Sequence, residues 1–197
     1  MSTAAKPVRL KTPAIVWPKR QPLWVFGYGS LMWDPGFHYV EMQPARLYGY
    51  HRSFCVRSTS YRGTPERPGL VFGLDAGGSC IGRAYRVSSG KVAEALGYLA
   101  HRELRIETYL ARRHLVRLPG RAVEALCFVV NRRVDQYMGR LTVGRMATYV
   151  CQGVGERGAC FDYLKSTVEH LRELGLHDHK LERLLAVATV RRRRPPA

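Results

Sequence analysis

The sequence predicts a single α+β domain, and three observations support this prediction. A chain of 197 residues is typical of one domain and long enough to bury a sizeable core. Short apolar and alternating runs, separated by turns rich in glycine and proline, fill most of residues 23–87 and indicate β-strands. In the last third of the chain, apolar residues recur every three or four positions, which indicates helices.

The chain begins with an arm and a strand that leads into a glycine-containing turn. Residues 1–22 combine prolines and charges without periodicity, which predicts an extended or disordered arm. Residues 23–33 are apolar on both sides of Gly27-Tyr28-Gly29-Ser30, as expected for a buried strand that delivers a tight loop. Glycines let backbone N–H groups approach a ligand closely. The alternative is an ordinary strand end, and the spacing excludes both a Rossmann fingerprint and a P-loop.

Further strands are predicted before and after the first helix. Alternation and turn residues indicate a strand at 44–56, a loop at 59–69, a hairpin formed by strands 70–74 and 81–87 around a turn at 75–79, and strands 114–118 and 123–130 joined at Pro119-Gly120. Residues 131–145 are polar and lack a clear pattern.

The first helix is predicted to follow Ser88 or Ser89 and to continue to about residue 105. Its apolar stripe is Val92, Leu96 and Leu99. The next position of that stripe is Glu103. A buried carboxylate is costly and its pKa tends to rise, so this position suggests a functional task. Two alternatives remain open, namely that Glu103 is solvated at the helix end or that Arg102 neutralises it.

Three more helices are predicted towards the C-terminus. A short one spans about 144–151, a glycine-punctuated loop follows, and a longer helix spans 161–174 with Gly175 after it. Asp178 is positioned to cap a final helix that includes Leu181, Leu184 and Leu185, and residues 189–197 are predicted to be a basic tail. His177 and His179 flank this cap, and an inter-helix turn explains them better than metal ligation.

Composition limits the class of protein. The chain carries 32 basic and 15 acidic residues, a net charge of +17, but its only tight basic run is Arg191-Arg192-Arg193-Arg194. A solvated tail and a basic surface explain this charge better than a nucleic-acid partner. Five cysteines without a Cys-x-x-Cys pair argue against a disulfide framework and a zinc site. No apolar run resembles a membrane span or a signal peptide, so we expect a cytoplasmic protein.

One set of motifs resembles a known family. Phe26-Gly27-Tyr28-Gly29-Ser30-Leu31 is similar to the signature of the γ-glutamylcyclotransferases. Residues 58–69, 77–85, 98–103 and 163–164 resemble, in order, segments of the ChaC-type, glutathione-specific branch. The resemblance implies a small mixed β-barrel with packed helices, formed by residues 23–188. It also implies an enzyme that needs no cofactor or metal.

The resemblance implies a reaction and a set of site residues. The α-amine of the γ-glutamyl group of glutathione attacks its own γ-carbonyl, which yields 5-oxoproline and cysteinylglycine. Glu103 matches the catalytic glutamate of the family. Arg62 is a candidate partner for a substrate carboxylate or a brace for its own loop. The predicted substrate-binding residues are Gly27, Tyr28, Gly29, Ser30, Leu31, Met32, Arg62, Tyr109 and Tyr163.

Some alternatives stay open. Glu107, one helical turn beyond Glu103, is the second candidate for the catalytic base. Cys160 stands where many relatives have asparagine, which puts substrate affinity in question. The substrate alternatives are other γ-glutamyl amino acids or amines, and a non-catalytic basic binding protein is the alternative from a different class. The sequence is compatible with a monomer or a homodimer.

Overall fold

A closed five-stranded β-barrel forms the centre of the molecule. The computed structural model describes residues 14–18, 21–104 and 107–193. The barrel strands are β1 (Leu23–Gly27), β2 (Glu41–Ser58), β3 (Gly69–Val87), β4 (Tyr109–Leu118) and β5 (Arg121–Val130), arranged in the order β1-β3-β2-β4-β5. Parallel pairing of β1 with β5 closes the barrel, whereas β1–β3, β2–β3, β2–β4 and β4–β5 are antiparallel. This architecture confirms the predicted α+β class and mixed barrel.

The predicted hairpin within residues 70–87 is wrong. These residues form one continuous strand, β3, which pairs along almost its whole length with the equally long β2. Gly77 and Gly78 adopt positive φ angles of 101° and 71°, and Gly49 on β2 has a φ of 85°. The register shifts between Tyr48 and Tyr50, close to these glycines. The glycines therefore bend the paired strands together and do not reverse the chain.

Helices pack on two sides of the barrel. Helix α1 (Val92–Glu103) lies against β1 and β5, where Leu99 is fully buried in one cluster with Val25 and Phe128. The described part of the N-terminal arm contributes Trp17 to the same cluster, whereas residues 1–13, 19 and 20 lie outside the described residues. The remaining helices are α2 (Val143–Gln152), α3 (Cys160–Glu173) and α4 (His179–Arg193).

The C-terminal helices pack against the barrel and share its hydrophobic core. Leu164 and Leu184 are fully buried in the same cluster as Phe72 of β3. Asp178 accepts backbone hydrogen bonds from Lys180 (3.1 Å) and Leu181 (3.2 Å), as its predicted cap role requires. A short ribbon, β6 (Val154–Gly155) and β7 (Gly158–Ala159), occupies the predicted loop between α2 and α3.

Helix α4 is longer than the sequence predicts. It continues to Arg193, so residues 189–193, which we assigned to the basic tail, are helical, and residues 194–197 lie outside the described residues. The Arg191 guanidinium donates to the Thr148 hydroxyl of α2 at 2.6 Å. Arg192 lies 4.3 Å from the centre of the Phe161 ring. These contacts with α2 and α3 stabilise the end of the helix.

The remaining composition-based predictions concern metals, membranes and thiols. His177 and His179 both contact Glu182, at 3.3 and 3.8 Å, and the described residues contain no cluster of three potential metal ligands. No helix in the described part of the chain is long and apolar enough to span a membrane. All five cysteines are free thiols, four of them buried.

Candidate active site

A pocket at one end of the barrel collects most of the predicted site residues. Its walls come mainly from the turn after β1, from the end of β2 with the loop after it, and from the C-terminal end of α1. Strands β3, β4 and β5, the β6–β7 ribbon and α3 contribute one or two residues each. The predicted site residues that line it are Tyr28, Gly29, Ser30, Leu31, Arg62, Glu103, Tyr109 and Tyr163. Segments that are distant in sequence therefore meet at one pocket.

Two of the predicted substrate-binding residues do not line this pocket. Gly27 is the last residue of β1 and is buried within the barrel wall. Met32 is only 1% exposed, and its carbonyl accepts hydrogen bonds from Arg83 (2.6 Å) and from the Tyr85 hydroxyl (2.8 Å). Gly27 pairs with Arg83 in the barrel wall and the Met32 carbonyl binds β3, so both residues support the turn from behind. Direct binding of substrate by these two residues stays a prediction, and the pocket lining does not include them.

The turn after β1 is held at both ends. Ser30 begins a single 3₁₀ turn that ends at Met32, and the Asp34 amide donates to the Ser30 carbonyl at 2.8 Å. The Tyr28 carbonyl accepts a hydrogen bond from Arg52 Nε at 2.6 Å. The backbone that faces the pocket is therefore held by a hydrogen bond within the turn and by one from Arg52.

Glu103 is a largely buried acid at the end of α1. Its side chain is 15% exposed, and its Oε1 lies 3.2 Å from Arg102 Nε. Burial raises the pKa of Glu103 above its usual range, although the charges of Arg102 and Arg157 act in the opposite direction. The two alternatives from the sequence were that Glu103 is solvated or that Arg102 neutralises it. The carboxylate is not fully solvated, and its ion pair with Arg102 does not cancel the effect of burial on its pKa. A carboxylate whose pKa is raised takes up a proton more readily than an ordinary glutamate, as a general base requires.

Glu107 does not have the position that helical spacing assigned to it. Helix α1 ends at Glu103, about two residues earlier than predicted, so the two glutamates do not share a helix face. Glu107 is exposed, does not line the pocket, and accepts a hydrogen bond from Asn131 through its backbone carbonyl at 3.0 Å. The structure therefore argues against Glu107 as the base.

Arg62 braces the rim of the pocket. Its guanidinium donates to the Arg157 carbonyl and lies 4.9 Å from the centre of the Tyr163 ring, while its backbone amide donates to the Ser58 hydroxyl at 3.0 Å. Burial lowers the pKa of Arg62, but an arginine starts so high that it remains a cation. The contacts of Arg62 thus support a role in bracing its own loop, and its binding of a substrate carboxylate stays a prediction.

The two predicted tyrosines form apolar walls with polar tips. The Tyr109 hydroxyl donates to the Phe72 carbonyl at 2.7 Å, and the Tyr163 ring packs against Phe72 and Trp33 with centroid separations of 5.3 and 6.0 Å. Burial raises the pKa of Tyr109 and that of Tyr163, so both phenols stay neutral at working pH. They are suited to shaping the pocket and to donating hydrogen bonds.

Sequence reasoning missed several lining residues, above all Arg157. This residue sits at the tip of the β6–β7 ribbon, which docks on the loop after β2 through amide-to-carbonyl hydrogen bonds from Glu156 to Ser60 (2.8 Å) and from Arg157 to Tyr61 (3.0 Å). The flanking glycines were the only local signal. Arg57 and Arg102 also line the pocket, so its guanidinium groups outnumber its two carboxylates, Asp34 and Glu103. This charge suits an anionic ligand.

Cys160 lies behind the pocket and not in its lining. Its thiol accepts a hydrogen bond from the Leu70 amide at 3.3 Å and donates to the Leu70 carbonyl at 3.1 Å. Burial raises the pKa of Cys160 to about 12, so the thiol stays protonated. The cysteine thus links α3 to β3 through both backbone groups of Leu70. Its effect on substrate affinity would be indirect.

Comparison with known proteins places this barrel and pocket in one class. A solved yeast structure, a γ-glutamyl cyclotransferase specific to glutathione, superposes with a TM-score of 0.80 at 22% identity, covering 87% of this chain and 97% of that chain. The protein therefore has the γ-glutamylcyclotransferase fold. The family model for ChaC-like protein matches residues 23–193. The chain belongs to the ChaC-like family.

Curated relatives agree with this membership. The glutathione-specific γ-glutamylcyclotransferase of Escherichia coli is 36% identical over 169 residues, which cover 85% of this chain and 73% of the relative. The human glutathione-specific γ-glutamylcyclotransferase 1 is 31% identical over 173 residues, covering 83% of this chain and 78% of the relative.

Proposed function

We propose that this protein is a glutathione-specific γ-glutamylcyclotransferase that releases 5-oxoproline and L-cysteinylglycine. The observation that carries the proposal is the buried Glu103, with its raised pKa, beside a turn of ordered backbone in a pocket rich in guanidinium groups. Membership of the ChaC-like family and the names of the bacterial and human relatives support the same conclusion.

The reaction requires proton transfer and no external reactant. The α-amine of the γ-glutamyl group attacks the γ-carbonyl, a new C–N bond closes the five-membered ring, and the bond to the cysteine nitrogen breaks. In our proposal Glu103 takes a proton from the attacking nitrogen and returns one to the leaving nitrogen. Because the attack is intramolecular, the protein's contribution is to hold the reactive conformation and stabilise the developing oxyanion.

The pocket offers separate groups for the two ends of glutathione. We assign the γ-glutamyl group to the turn Tyr28–Leu31, which lies in the same pocket as Glu103. The free carboxylates of the substrate are assigned to guanidinium groups of the lining, among which Arg57 lies at the end of β2, Arg62 in the loop after β2 and Arg157 in the ribbon docked on that loop. In this assignment Tyr109 and Tyr163 form the wall between these groups.

The proposal has further parts that follow from the sequence and the proposed chemistry. Ring closure consumes no water, metal or nucleotide, so we assign no cofactor. We also assign a cytoplasmic location, where glutathione is abundant, a monomeric or homodimeric state, and no nucleic-acid partner.

Substrate specificity is the direct test. We expect kcat/KM for glutathione to exceed that for γ-glutamyl dipeptides such as γ-glutamylalanine by about 100-fold, because a dipeptide leaves the groups that bind the glycine end unpaired. Release of 5-oxoproline by the purified protein is the measurement, and the α-linked tripeptide Glu-Cys-Gly is the matched control that should not react.

Two results would contradict the proposal in different ways. Equal or faster turnover of the dipeptides would keep the enzyme class and change the substrate to other γ-glutamyl compounds. Absence of release from every γ-glutamyl substrate, by protein shown to be folded, would favour a non-catalytic binding protein.

A further inference from the structure

We propose that Arg102 is a positioning residue that fixes the distance between the Ser30 turn and the Glu103 carboxylate. The γ-glutamyl group bound at the turn is then correctly placed for proton transfer to Glu103. The proposal deepens the function proposed above and rests on it. It concerns a residue that the sequence analysis treated only as a possible neutraliser of Glu103.

The contacts of Arg102 tie three parts of the site together. Its Nη2 donates to the Ser30 hydroxyl at 3.0 Å, and its Nε lies 3.2 Å from Glu103 Oε1. Its Nη1 donates to the Asp34 carbonyl at 2.7 Å and to the Tyr98 hydroxyl at 2.9 Å. One guanidinium therefore joins both ends of the turn after β1 to the C-terminal end of α1.

Burial of the Arg102 guanidinium requires that it keep fixed partners within the protein. The Arg102 side chain is only 6% exposed, and a buried cation is costly unless it is paired and hydrogen-bonded. Glu103 supplies a close negative charge, whereas the Asp34 carboxylate is 3.7 Å away and more than half exposed. Since the nitrogens of Arg102 already have partners within the protein, the residue is organised before any substrate arrives.

Arginine is the side chain that this geometry requires. The guanidinium is planar and its three nitrogens point in fixed directions, so Nε and Nη2 hold Glu103 and Ser30 at a separation set by the group itself. A lysine would keep the charge but present a single nitrogen, which cannot face both partners in the same way. Substitution by lysine thus separates the effect of geometry from the effect of charge.

Losing the geometry of the Arg102 side chain and losing its charge should change the kinetics in different ways. We expect Arg102→Lys to lower kcat/KM for glutathione about 100-fold, because misplacement of about 1 Å can cost that much. Its pH profile should keep the wild-type acidic limb, because the cation beside Glu103 remains. Arg102→Gln should lower the rate and also move the acidic limb to higher pH, because loss of the cation raises the pKa of Glu103 further.

The other charged and titratable groups around Glu103 are unchanged in these variants. They are Arg157 of the ribbon, Tyr28 of the turn, Tyr109 of β4 and Tyr163 of α3. All three tyrosines stay neutral over the pH range in question, because burial raises the pKa of each of them. A shift of the acidic limb between Arg102→Lys and Arg102→Gln therefore reports on the charge of residue 102.

A double-mutant cycle with Ser30 tests whether Arg102 acts through the turn. We expect Ser30→Ala to lower kcat/KM about tenfold and the Arg102→Lys/Ser30→Ala double variant to be no slower than Arg102→Lys alone. Arg113→Lys is the matched control, because Arg113 also pairs with a glutamate (Glu124, 3.3 Å) but is exposed and outside the pocket lining; its activity should be that of wild type.

Additive effects in this cycle, or identical pH profiles for Arg102→Lys and Arg102→Gln, would overturn the proposal. If Arg102→Lys does not fold, the cycle is run with Tyr98→Phe, which removes a hydroxyl that supports the same guanidinium, and additivity again counts against it. Amide hydrogen exchange separates this proposal from the proposed function. Even if wild type does not act on glutathione, faster exchange of residues 30–34 in Arg102→Lys is expected, and unchanged exchange would overturn the positioning role.

Discussion

Replacing Glu103 with glutamine is expected to lower 5-oxoproline release from glutathione by at least about a thousandfold, within the range attributed to general acid–base catalysis. The glutamine side chain has nearly the same shape and can keep an oxygen near Arg102 Nε, which lies 3.2 Å from Glu103 Oε1 in wild type. It cannot take up and return a proton. The rate of release, measured with purified protein at saturating glutathione, therefore reports on proton transfer with little change in packing.

The same variant should remain folded, and its stability should respond less to pH than that of wild type. Because burial raises the pKa of Glu103, the folded state holds the proton more tightly than the unfolded state, whose glutamate pKa is about 4.3. The stability contributed by Glu103 therefore falls as pH rises from about 4.3 through the folded-state pKa. Glutamine does not ionise, so we expect the thermal midpoint of the variant, relative to that of wild type, to rise between about pH 4.3 and pH 7.

Glu107→Gln is the matched control for this experiment. Glu107 is exposed and does not line the pocket, so its replacement should leave release within about twofold of wild type, as is usual for surface substitutions. An active Glu103→Gln variant together with an inactive Glu107→Gln variant would contradict the assignment and move the proton transfer to Glu107.

Gly155→Ala is expected to damage both stability and activity. The β6–β7 ribbon approaches the loop after β2 so closely that a Cβ at residue 155 would lie 2.1 Å from the Ser60 carbonyl oxygen and 2.7 Å from the Gly63 amide nitrogen. Both atoms belong to the backbone, which cannot move aside like a flexible side chain. We expect a loss of about 1–3 kcal/mol in the free energy of unfolding, as for other overpacked sites.

The activity loss should be larger than the stability loss alone explains. Displacing the ribbon moves Arg157, whose backbone contacts both Tyr61 and Arg62, and so changes the cationic side of the pocket. We expect kcat/KM for glutathione to fall about 100-fold in protein that is still folded at the assay temperature. Denaturant titration and steady-state kinetics on the same preparation provide the two measurements.

Gly144→Ala provides the control for this substitution. Gly144 lies in the first turn of α2, and no atom lies within 4 Å of the position that its Cβ would occupy. Alanine should keep wild-type activity and add about 0.5–1 kcal/mol of stability, because it favours the helical backbone. Wild-type stability and activity in Gly155→Ala would show that the ribbon is not held against the loop in the way described.

Local sequence patterns were sufficient where the structure is governed by short-range chemistry. The glycine-containing turn after Phe26 and the cap at Asp178 depend on residues next to one another in the chain. The stripe on α1 also placed Glu103 correctly beside the barrel, because helical periodicity determines which side of a helix is buried.

The errors occurred where tertiary contacts decide the outcome. Gly77 and Gly78 have the residue type of a reversing turn, but the long partner strand β2 binds both halves of β3 and converts the turn into a bend. Glu107 would face the same side as Glu103 only if α1 continued to it, whereas the helix ends at Glu103. Arg157 lines the pocket because the ribbon docks on the loop after β2. No periodicity in the sequence indicates this docking.

Ring closure by this protein would use no water, whereas hydrolysis of glutathione would place an oxygen from water in the product. Incubation of the purified protein with glutathione in water labelled with heavy oxygen, followed by mass spectrometry of the products, tests the proposed ring closure most directly. Our account predicts unlabelled 5-oxoproline and an equal amount of cysteinylglycine. Glutamate that carries the heavy oxygen in its γ-carboxylate would contradict it, because that product requires water as the nucleophile.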